Sequence, residues 1–248
     1  MNINLKQFSL IFCISLGYLT TASYPSFPQI APSILLSQNP PENPPRTPPP
    51  NKTKPGGGLN PSKQSCNGKN GSLTPLIPVK NPVLTVSAHP TILFYTPDKS
   101  EDIEYGEFSI VTQDEKTRVY KKIRFILPNK TPGIVSVSLP QLSEIELVEG
   151  QYYHWYLKIY CKGNADSKSK LDVNGWVQRV PFTSEKQKQI ESGDSNIWYD
   201  SLANLAQKLE SSPEDISLRK KWINLLTTIG QEDLSQKPII GKVVVLED

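Results

Sequence analysis

Histidine and cysteine are scarce in this sequence of 248 residues, which contains two histidines and three cysteines. A zinc site needs about four Cys, His or carboxylate ligands at close spacing, such as a CxxC pair, and no such spacing occurs. The acidic residues Asp166, Asp172 and Asp194 lack the alternating pattern of a calcium-binding loop. We therefore expect no metal site and no cofactor.

A serine nucleophile motif is also missing, because no GxSxG occurs in the sequence. His89 stands beside Pro90 in a predicted turn, and His154 lies within a strand pattern. Neither histidine follows or precedes a nucleophile signature, so we expect both to be structural. The sequence disfavours an enzyme, and hydrolysis is the weakest of the functions considered below.

No apolar run reaches the roughly 20 residues that a membrane-spanning helix needs. The apolar stretch Phe8 to Leu19 follows Lys6 and precedes small residues, as in a cleavable secretory signal. We predict a signal peptide over residues 1–23, and a periplasmic or extracellular protein without a membrane span after cleavage. The alternatives are an uncleaved anchor and a lipoprotein attached at Cys13, where the preceding residue is too large for a lipidation site.

Positive charge is not concentrated on the part that should fold. The net charge is +3, but the basic excess falls within residues 1–71, and the part from Ser72 onward is slightly acidic. A nucleic-acid-binding protein would carry its Lys and Arg on the folded domain. We therefore expect no nucleic-acid partner.

Proline is abundant in residues 24–71, which hold about half of the 23 prolines and also the run Gly56-Gly57-Gly58. Such a composition cannot bury a core, so we predict an extended, disordered linker. The tetrapeptide Pro45-Arg46-Thr47-Pro48 matches a PxxP ligand, but a match is nearly inevitable in so proline-dense a segment.

Short β-rich runs fill residues 72–181, with turn residues such as Pro128-Asn129 and Asn174-Gly175 between them. The predicted strands are Leu84 to Ser87, Thr91 to Tyr95, Phe108 to Thr112, Val119 to Leu127, Ile134 to Leu139, Tyr152 to Cys161 and Trp176 to Val180. Because no helix interrupts them, the pattern predicts an antiparallel immunoglobulin-like β-sandwich.

The clearest strand alternates between two sets of side chains. One set is predicted to face the core and consists of Tyr153, Trp155, Leu157, Ile159 and Cys161. The other set is a candidate ligand face and consists of Tyr152, His154, Tyr156, Lys158 and Tyr160. Tyrosines on an open strand can stack on sugars or anchor a protein partner. We favour the alternative that helices cover this face.

Residues 182–248 change to helical spacing and predict a helical hairpin with a tail, packed on the sandwich. The first helix shows apolar residues at Trp198, Leu202, Leu205 and Leu209. The second begins at Ser212-Pro213 and stops at Gly230.

Two cysteines, Cys66 and Cys161, follow the predicted signal peptide. Because export leads to an oxidising compartment, we favour one disulfide between them over two free thiols.

Seven motifs follow one another along the chain: Thr91 to Pro97, Glu107 to Asp114, Val119-Tyr120, Pro132 to Pro140, Tyr153 to Trp155 with Cys161, Gly175 to Arg179 and Ile197 to Asp200. In this order they resemble the exported cyanobacterial family of unknown function DUF928. The resemblance implies an envelope or extracellular location and no particular activity. We predict a non-catalytic protein-binding or scaffold module of the cell envelope, whose partner is an envelope protein or a glycan. A carbohydrate-binding module is the alternative.

Overall fold

The computed structural model of this chain describes residues 65–66, 71–79, 83–163 and 170–246. The predicted signal peptide over residues 1–23 and nearly all of the predicted linker over residues 24–71 lie outside the described residues. Both therefore stay predictions. Within the described part, no helix combines the length and the apolar character required to cross a membrane.

Ten strands in the described part form two sheets. The smaller sheet contains β1 (Thr74–Pro75), β3 (Thr91–Thr96), β6 (Gly133–Ser138) and β9 (Ile239–Lys242), in that spatial order. The larger sheet contains β2 (Leu84–Thr85), β4 (Ile103–Thr112), β5 (Ile123–Ile126), β7 (Tyr152–Cys161), β8 (Lys170–Arg179) and β10 (Val244–Val245). Its spatial order is β10-β5-β4-β7-β8-β2. The four-stranded sheet curls into a half-barrel.

Both sheets are mixed, because β2 runs parallel to β8 and β9 runs parallel to β6, whereas the other pairings are antiparallel. A parallel pair requires a long connection between its strands. Five strands separate β2 from β8 along the chain, and the helices separate β6 from β9. The prediction of a mainly β fold with C-terminal helices is confirmed, whereas entirely antiparallel pairing is wrong for these two pairs.

The core lies between the two sheets, where the ring centroids of Phe94 on β3 and Phe125 on β5 are 6.4 Å apart. The inward set predicted for β7 is buried throughout, with Trp155 fully inaccessible to solvent. Burying a large apolar side chain of this kind stabilises a fold by about 1.5–3 kcal/mol. Strand β7 also has the bounds that the alternation predicted.

Strand β8 begins earlier than predicted. Asn174-Gly175 was expected to form a turn, but both residues lie inside β8, so that prediction is wrong. Leu171 and Val173 are buried and alternate with the half-buried Asp172 and Asn174. A period-two pattern of this kind is the signature of a strand with one polar face.

In the described part of the chain, three α-helices lie between β8 and β9: α1 (Ser184–Ser192), α2 (Trp198–Ser211) and α3 (Ile216–Thr227). The four apolar residues that predicted α2 are all buried. In α3 the cap is Asp215, whose carboxylate accepts a hydrogen bond from Leu218 N at 2.9 Å, rather than the expected Ser212. Helix α1 was not predicted, because Ile190 is its one buried residue and its apolar pattern is correspondingly weak.

A disulfide joins Cys66 to Cys161 at the end of β7, with a Cα–Cα distance of 5.3 Å, as the sequence predicted. The Cys66 N–H donates to Asp98 Oδ1 at 2.9 Å, so this part of the chain is held at two points. The bridge links positions separated by 95 residues. For such a separation the chain-entropy model gives a stabilisation of about 4 to 5 kcal/mol.

Candidate functional site

Helix α2 packs against β3 and β9 of the four-stranded sheet and against β2 at the edge of the six-stranded sheet. From the first turn of α2, the Tyr199 side chain reaches the inner face of the six-stranded sheet, which is the face that carries Trp155. The Trp155 Nε1–H donates a hydrogen bond to the Tyr199 hydroxyl at 2.8 Å, and that hydroxyl donates to the Trp176 carbonyl at 2.9 Å. Neighbouring residues of a strand point to opposite faces, so His154 and Tyr156 lie on the other side of the sheet. The expectation that the helices cover the predicted tyrosine face is therefore wrong.

We define the outer face as the side of the six-stranded sheet opposite the Trp155 side chain. Strand β7 contributes all five residues of the predicted ligand face, and the strand register adds residues from the neighbouring strands. These are Tyr105, Glu107, Ser109 and Val111 from β4, Asp172, Asn174 and Trp176 from β8, and Arg124 and Ile126 from β5. The outer face therefore combines aromatic rings with charges of both signs.

His154 lies at the centre of one cluster on the outer face. Its Nδ1 is 2.8 Å from Glu115 Oε1, and its Nε2 is 2.9 Å from Asn174 Oδ1. Its ring stacks on Trp176, with centroids 4.2 Å apart and an interplanar angle of 6°. The Tyr156 hydroxyl approaches Nδ1 to 2.8 Å. These contacts hold the imidazole from every side and leave it 8% exposed.

Glu115 reaches this cluster from the turn that follows β4. Its backbone has φ +59°, a left-handed conformation that costs a residue with a side chain about 1 kcal/mol or more. Its Oε1 accepts hydrogen bonds from His154 Nδ1 and, at 2.9 Å, from the Tyr156 hydroxyl. The hydrogen bond from His154, followed by that from Tyr156, lowers the pKa of Glu115 below its ordinary value.

Tyr156 remains a protonated phenol in this setting. Partial burial, and then the neighbouring Glu115 carboxylate, raise the pKa of Tyr156 above its ordinary value. A hydrolase would need a hydroxyl that His154 can deprotonate, and the hydroxyl beside His154 is a phenol that donates to a carboxylate instead. The cluster supplies hydrogen-bond donors and acceptors in fixed positions rather than an activated nucleophile.

Glu107 is the centre of a second cluster on the outer face. Its carboxylate accepts a hydrogen bond from the Tyr160 hydroxyl at 3.1 Å, and it forms ion pairs with Lys122 at 3.4 Å and Arg124 at 3.5 Å. Burial raises the pKa of Glu107, but the Tyr160 hydrogen bond and the two cations outweigh burial, so the net shift is downward. Burial and the Glu107 carboxylate raise the pKa of Tyr160 to about 12.

Aromatic rings complete the second cluster. The rings of Tyr105 and Tyr160 stack with centroids 4.4 Å apart, and the Arg124 guanidinium lies 5.3 Å from the centroid of Tyr105. The Tyr105 ring therefore lies beside one aromatic ring and one cation.

The remaining residues considered in the sequence lie away from these clusters. His89 Nε2 is 3.1 Å from the Leu142 carbonyl oxygen and links two connecting segments. Asp194 accepts a hydrogen bond from Asn196 N at 2.7 Å and thereby caps a short helical turn. Asp172 lies on the outer face, and Asp166 lies outside the described residues. Within the described part, no group of three or more His, Cys, Asp or Glu side chains is arranged to hold a metal ion.

Several residues of the two clusters were not predicted from the sequence. Glu107 stands between Tyr105 and Ser109 at an outward position, so its period-two spacing would have placed it on this face. Glu115 lies in a turn with an unusual backbone conformation, and no local pattern links it to His154, 39 positions away. Asn174 was not predicted as a residue of the outer face, because Asn174-Gly175 was assigned to a turn.

Comparison with known proteins identifies a family whose function is unknown. No curated protein matches the chain. The family model described as Domain of Unknown Function (DUF928) matches residues 54–239, which is most of the chain and includes both clusters of the outer face. The match agrees with the resemblance seen in the sequence motifs, whereas the cyanobacterial origin stays a prediction. The chain belongs to the DUF928 family.

Proposed function

We propose that this protein is a non-catalytic protein-binding or scaffold module of the cell envelope, and that it binds its partner through the outer face of the six-stranded sheet. The observation that carries the proposal is that α2 contacts the six-stranded sheet from the side of Trp155, while hydrogen bonds and ion pairs hold the side chains of the outer face in place. A preorganised surface loses little side-chain entropy on binding, which favours affinity.

The charge of the cluster around Glu107 favours an acidic protein partner. Lys122 and Arg124, whose side chains are 46% and 54% exposed, share the carboxylate of Glu107, which is 7% exposed. Two cations on one carboxylate leave one positive charge in excess at the surface. Carboxylates on a partner would meet this excess and would also accept hydrogen bonds from the guanidinium.

The aromatic side chains favour a protein over a sugar as the partner. Binding of a sugar ring requires an aromatic ring with a free face. Here the Tyr105 ring stacks with Tyr160 and has the Arg124 guanidinium over it, and the Trp176 ring stacks with His154. Tyr156, whose ring is tilted by 46° against His154, is the residue on which the carbohydrate alternative would depend.

Export is the second part of the proposal. The Cys66–Cys161 disulfide supports it, since such bonds persist in oxidising compartments. The predicted signal peptide over residues 1–23 would direct the chain there. The predicted linker over residues 24–71 would hold the module away from a surface or a partner.

We also infer an immunoglobulin-like arrangement of the two sheets. Face-to-face packing of β3 and β5 through Phe94 and Phe125 supports it. The two parallel pairs lie at sheet edges, where strands can be added to such a sandwich without changing its centre.

Photocrosslinking in the native host tests the partner and its binding face. A photoreactive residue at Arg124 or Lys158 should crosslink to one discrete envelope protein, whereas the same residue at Lys220, exposed on α3, should not. Arg124→Glu should weaken the binding of that protein, and Lys220→Glu should leave it unchanged. Equal crosslinking at all three positions, or none at the outer face, would contradict the proposal. Binding to a glycan array that is lost in Tyr156→Ala would favour the carbohydrate alternative.

A further inference from the structure

Three polar atoms of the cluster around His154 form a nearly equilateral triangle. Glu115 Oε1 and His154 Nδ1 are 2.8 Å apart, the Tyr156 hydroxyl oxygen is 2.8 Å from that nitrogen, and the same oxygen is 2.9 Å from Glu115 Oε1. Each atom therefore lies within hydrogen-bond distance of both others. The triangle combines one imidazole nitrogen, one carboxylate oxygen and one phenol oxygen.

The hydrogens of this cluster are too few for its short contacts. A neutral imidazole has one N–H, but both nitrogens of His154 face acceptors, since Nδ1 faces Glu115 and Nε2 lies 2.9 Å from Asn174 Oδ1. The Tyr156 hydroxyl has one further hydrogen, which it donates to Glu115. With a neutral imidazole, one of the two His154 contacts therefore has no hydrogen in it, and the cluster is short of one positive charge.

The edges of the triangle fit a metal ion whose ligands lie at right angles to one another. Two such ligands, each about 2.0–2.1 Å from the metal, are about 2.8–3.0 Å apart, whereas two tetrahedral ligands are about 3.3–3.4 Å apart. The observed distances of 2.8, 2.8 and 2.9 Å match one face of an octahedron. With Nδ1 bound to the metal, the ring hydrogen lies on Nε2 and is donated to Asn174 Oδ1, as is usual for a histidine that binds a metal.

The chemistry of the three ligands selects the metal. The carboxylate and the phenolate are hard, anionic oxygen ligands that suit a highly charged ion, whereas the imidazole suits iron, copper, nickel or zinc. Ferric iron meets both conditions, a facial set of nitrogen and oxygen ligands is typical of non-haem iron, and tyrosine also serves as an iron ligand in haem proteins. The oxidising location proposed for the chain would keep the iron in its ferric state.

We propose that Glu115, His154 and Tyr156 bind one ferric ion on the outer face. Their three atoms occupy one face of the octahedron and leave the other positions to water or to a chelating anion, and the Tyr156 phenol releases its proton to solvent when the ion binds. The Glu115 side chain is 53% exposed and that of His154 is 11% exposed, so the ion enters from the side of Glu115. The sequence did not predict this site, because Glu115 is 39 positions from His154 and tyrosine was not considered as a ligand. The site does not depend on the Glu107 cluster or on the protein partner proposed above.

Titration of the purified full chain with ferric nitrilotriacetate tests this proposal. One equivalent of iron should bind and should produce the visible charge-transfer absorption of a phenolate bound to Fe(III). Tyr156→Phe should abolish this absorption, and Glu115→Gln should weaken iron binding at least about tenfold. Tyr95→Phe, which changes a half-buried tyrosine of the four-stranded sheet, should leave the absorption and the affinity unchanged. Circular dichroism would verify that each variant is folded.

Two further measurements locate the ion within the cluster. Asn174 is a positioning residue that acts through His154 Nε2, so Asn174→Ala should weaken iron binding about tenfold but keep the charge-transfer absorption, because the three ligands remain. Gallium(III), a diamagnetic ion of the same charge, should shift the NMR resonances of the His154 ring in the parent. An absorption that is absent, an absorption that Tyr156→Phe retains, or a gallium titration that leaves the His154 ring unchanged would each overturn the proposal.

Discussion

The indole N–H of Trp155 on β7 donates a hydrogen bond to the Tyr199 hydroxyl on α2 at 2.8 Å, and both side chains are almost inaccessible to solvent. The same hydroxyl donates to the Trp176 carbonyl on β8. One oxygen atom therefore connects the helix to two neighbouring strands. This contact fixes the first turn of α2 at the face that carries Trp155, and the two clusters of the outer face lie on the opposite side of the sheet.

Tyr199→Phe should lower the free energy of unfolding by about 2 to 4 kcal/mol, because it leaves a buried indole N–H and a buried carbonyl without their partner. Urea denaturation followed by tryptophan fluorescence would measure the loss. Tyr152→Phe removes a phenol oxygen from the outer face and should change the stability by less than about 0.5 kcal/mol. Equal stability of Tyr199→Phe and the parent would show that the hydroxyl does not hold α2.

Gly175→Ala should destabilise the fold by about 1–3 kcal/mol through overpacking. A Cβ at this position would lie 2.5 Å from Trp155 Cζ2 and 2.7 Å from Ile77 Cδ1, closer than van der Waals contact permits. In a Trp155→Phe background the ring is smaller, so the additional cost of Gly175→Ala should shrink. A cost that is the same in both backgrounds would mean that Trp155 is not the obstacle.

The sequence predicted those strands whose pattern depends only on their own residues, and it failed where the structure depends on a neighbouring strand. Strand β7 was predicted with the correct bounds because five core-facing residues alternate with five polar or aromatic residues of the other face, and this pattern needs no knowledge of the neighbouring strands. In β8, the sequence Asn174-Gly175 is typical of a turn. Gly175 is instead part of the strand, where the Trp155 ring of the adjacent strand leaves no room for a Cβ. Its role is visible only once β7 and β8 are paired.

Long-range pairing explains the other omissions. Strands β9 and β10 lie in an apolar segment that was treated as a tail, since their partners β6 and β5 are about a hundred residues away in sequence. The candidate ligand face was predicted from β7 alone. Glu115 and Glu107, which fix the orientation of its histidine and of one tyrosine, come from β4 and the turn after it.

Simultaneous Cys66→Ser and Cys161→Ser should lower the free energy of unfolding by about 2–5 kcal/mol, because the unfolded chain regains the freedom that the bridge removes. A reductant should destabilise the parent by a similar amount and leave the double variant unchanged. Thiol titration of the native protein in a Cys13→Ser background should find no reactive group. Two reactive thiols there would contradict both the disulfide and the oxidising location proposed for the chain.

Acidification should destabilise the fold partly through Glu107. The pKa of Glu107 is lowered in the folded state, so its contribution is present above the unfolded value of about 4.3 and is lost as the pH falls through the lower folded value. Glu107→Gln should therefore flatten the decline in the free energy of unfolding below the unfolded-state pKa of a glutamate.

Tyr160→Phe should raise the pKa of Glu107, observed by carboxyl NMR titration, and should cost about 1 kcal/mol of stability at neutral pH. Tyr152→Phe, on the same strand but outside the cluster, should leave the Glu107 titration as in the parent. An unchanged acid decline in Glu107→Gln would show that the ion pairs with Lys122 and Arg124 contribute nothing, as many exposed pairs do.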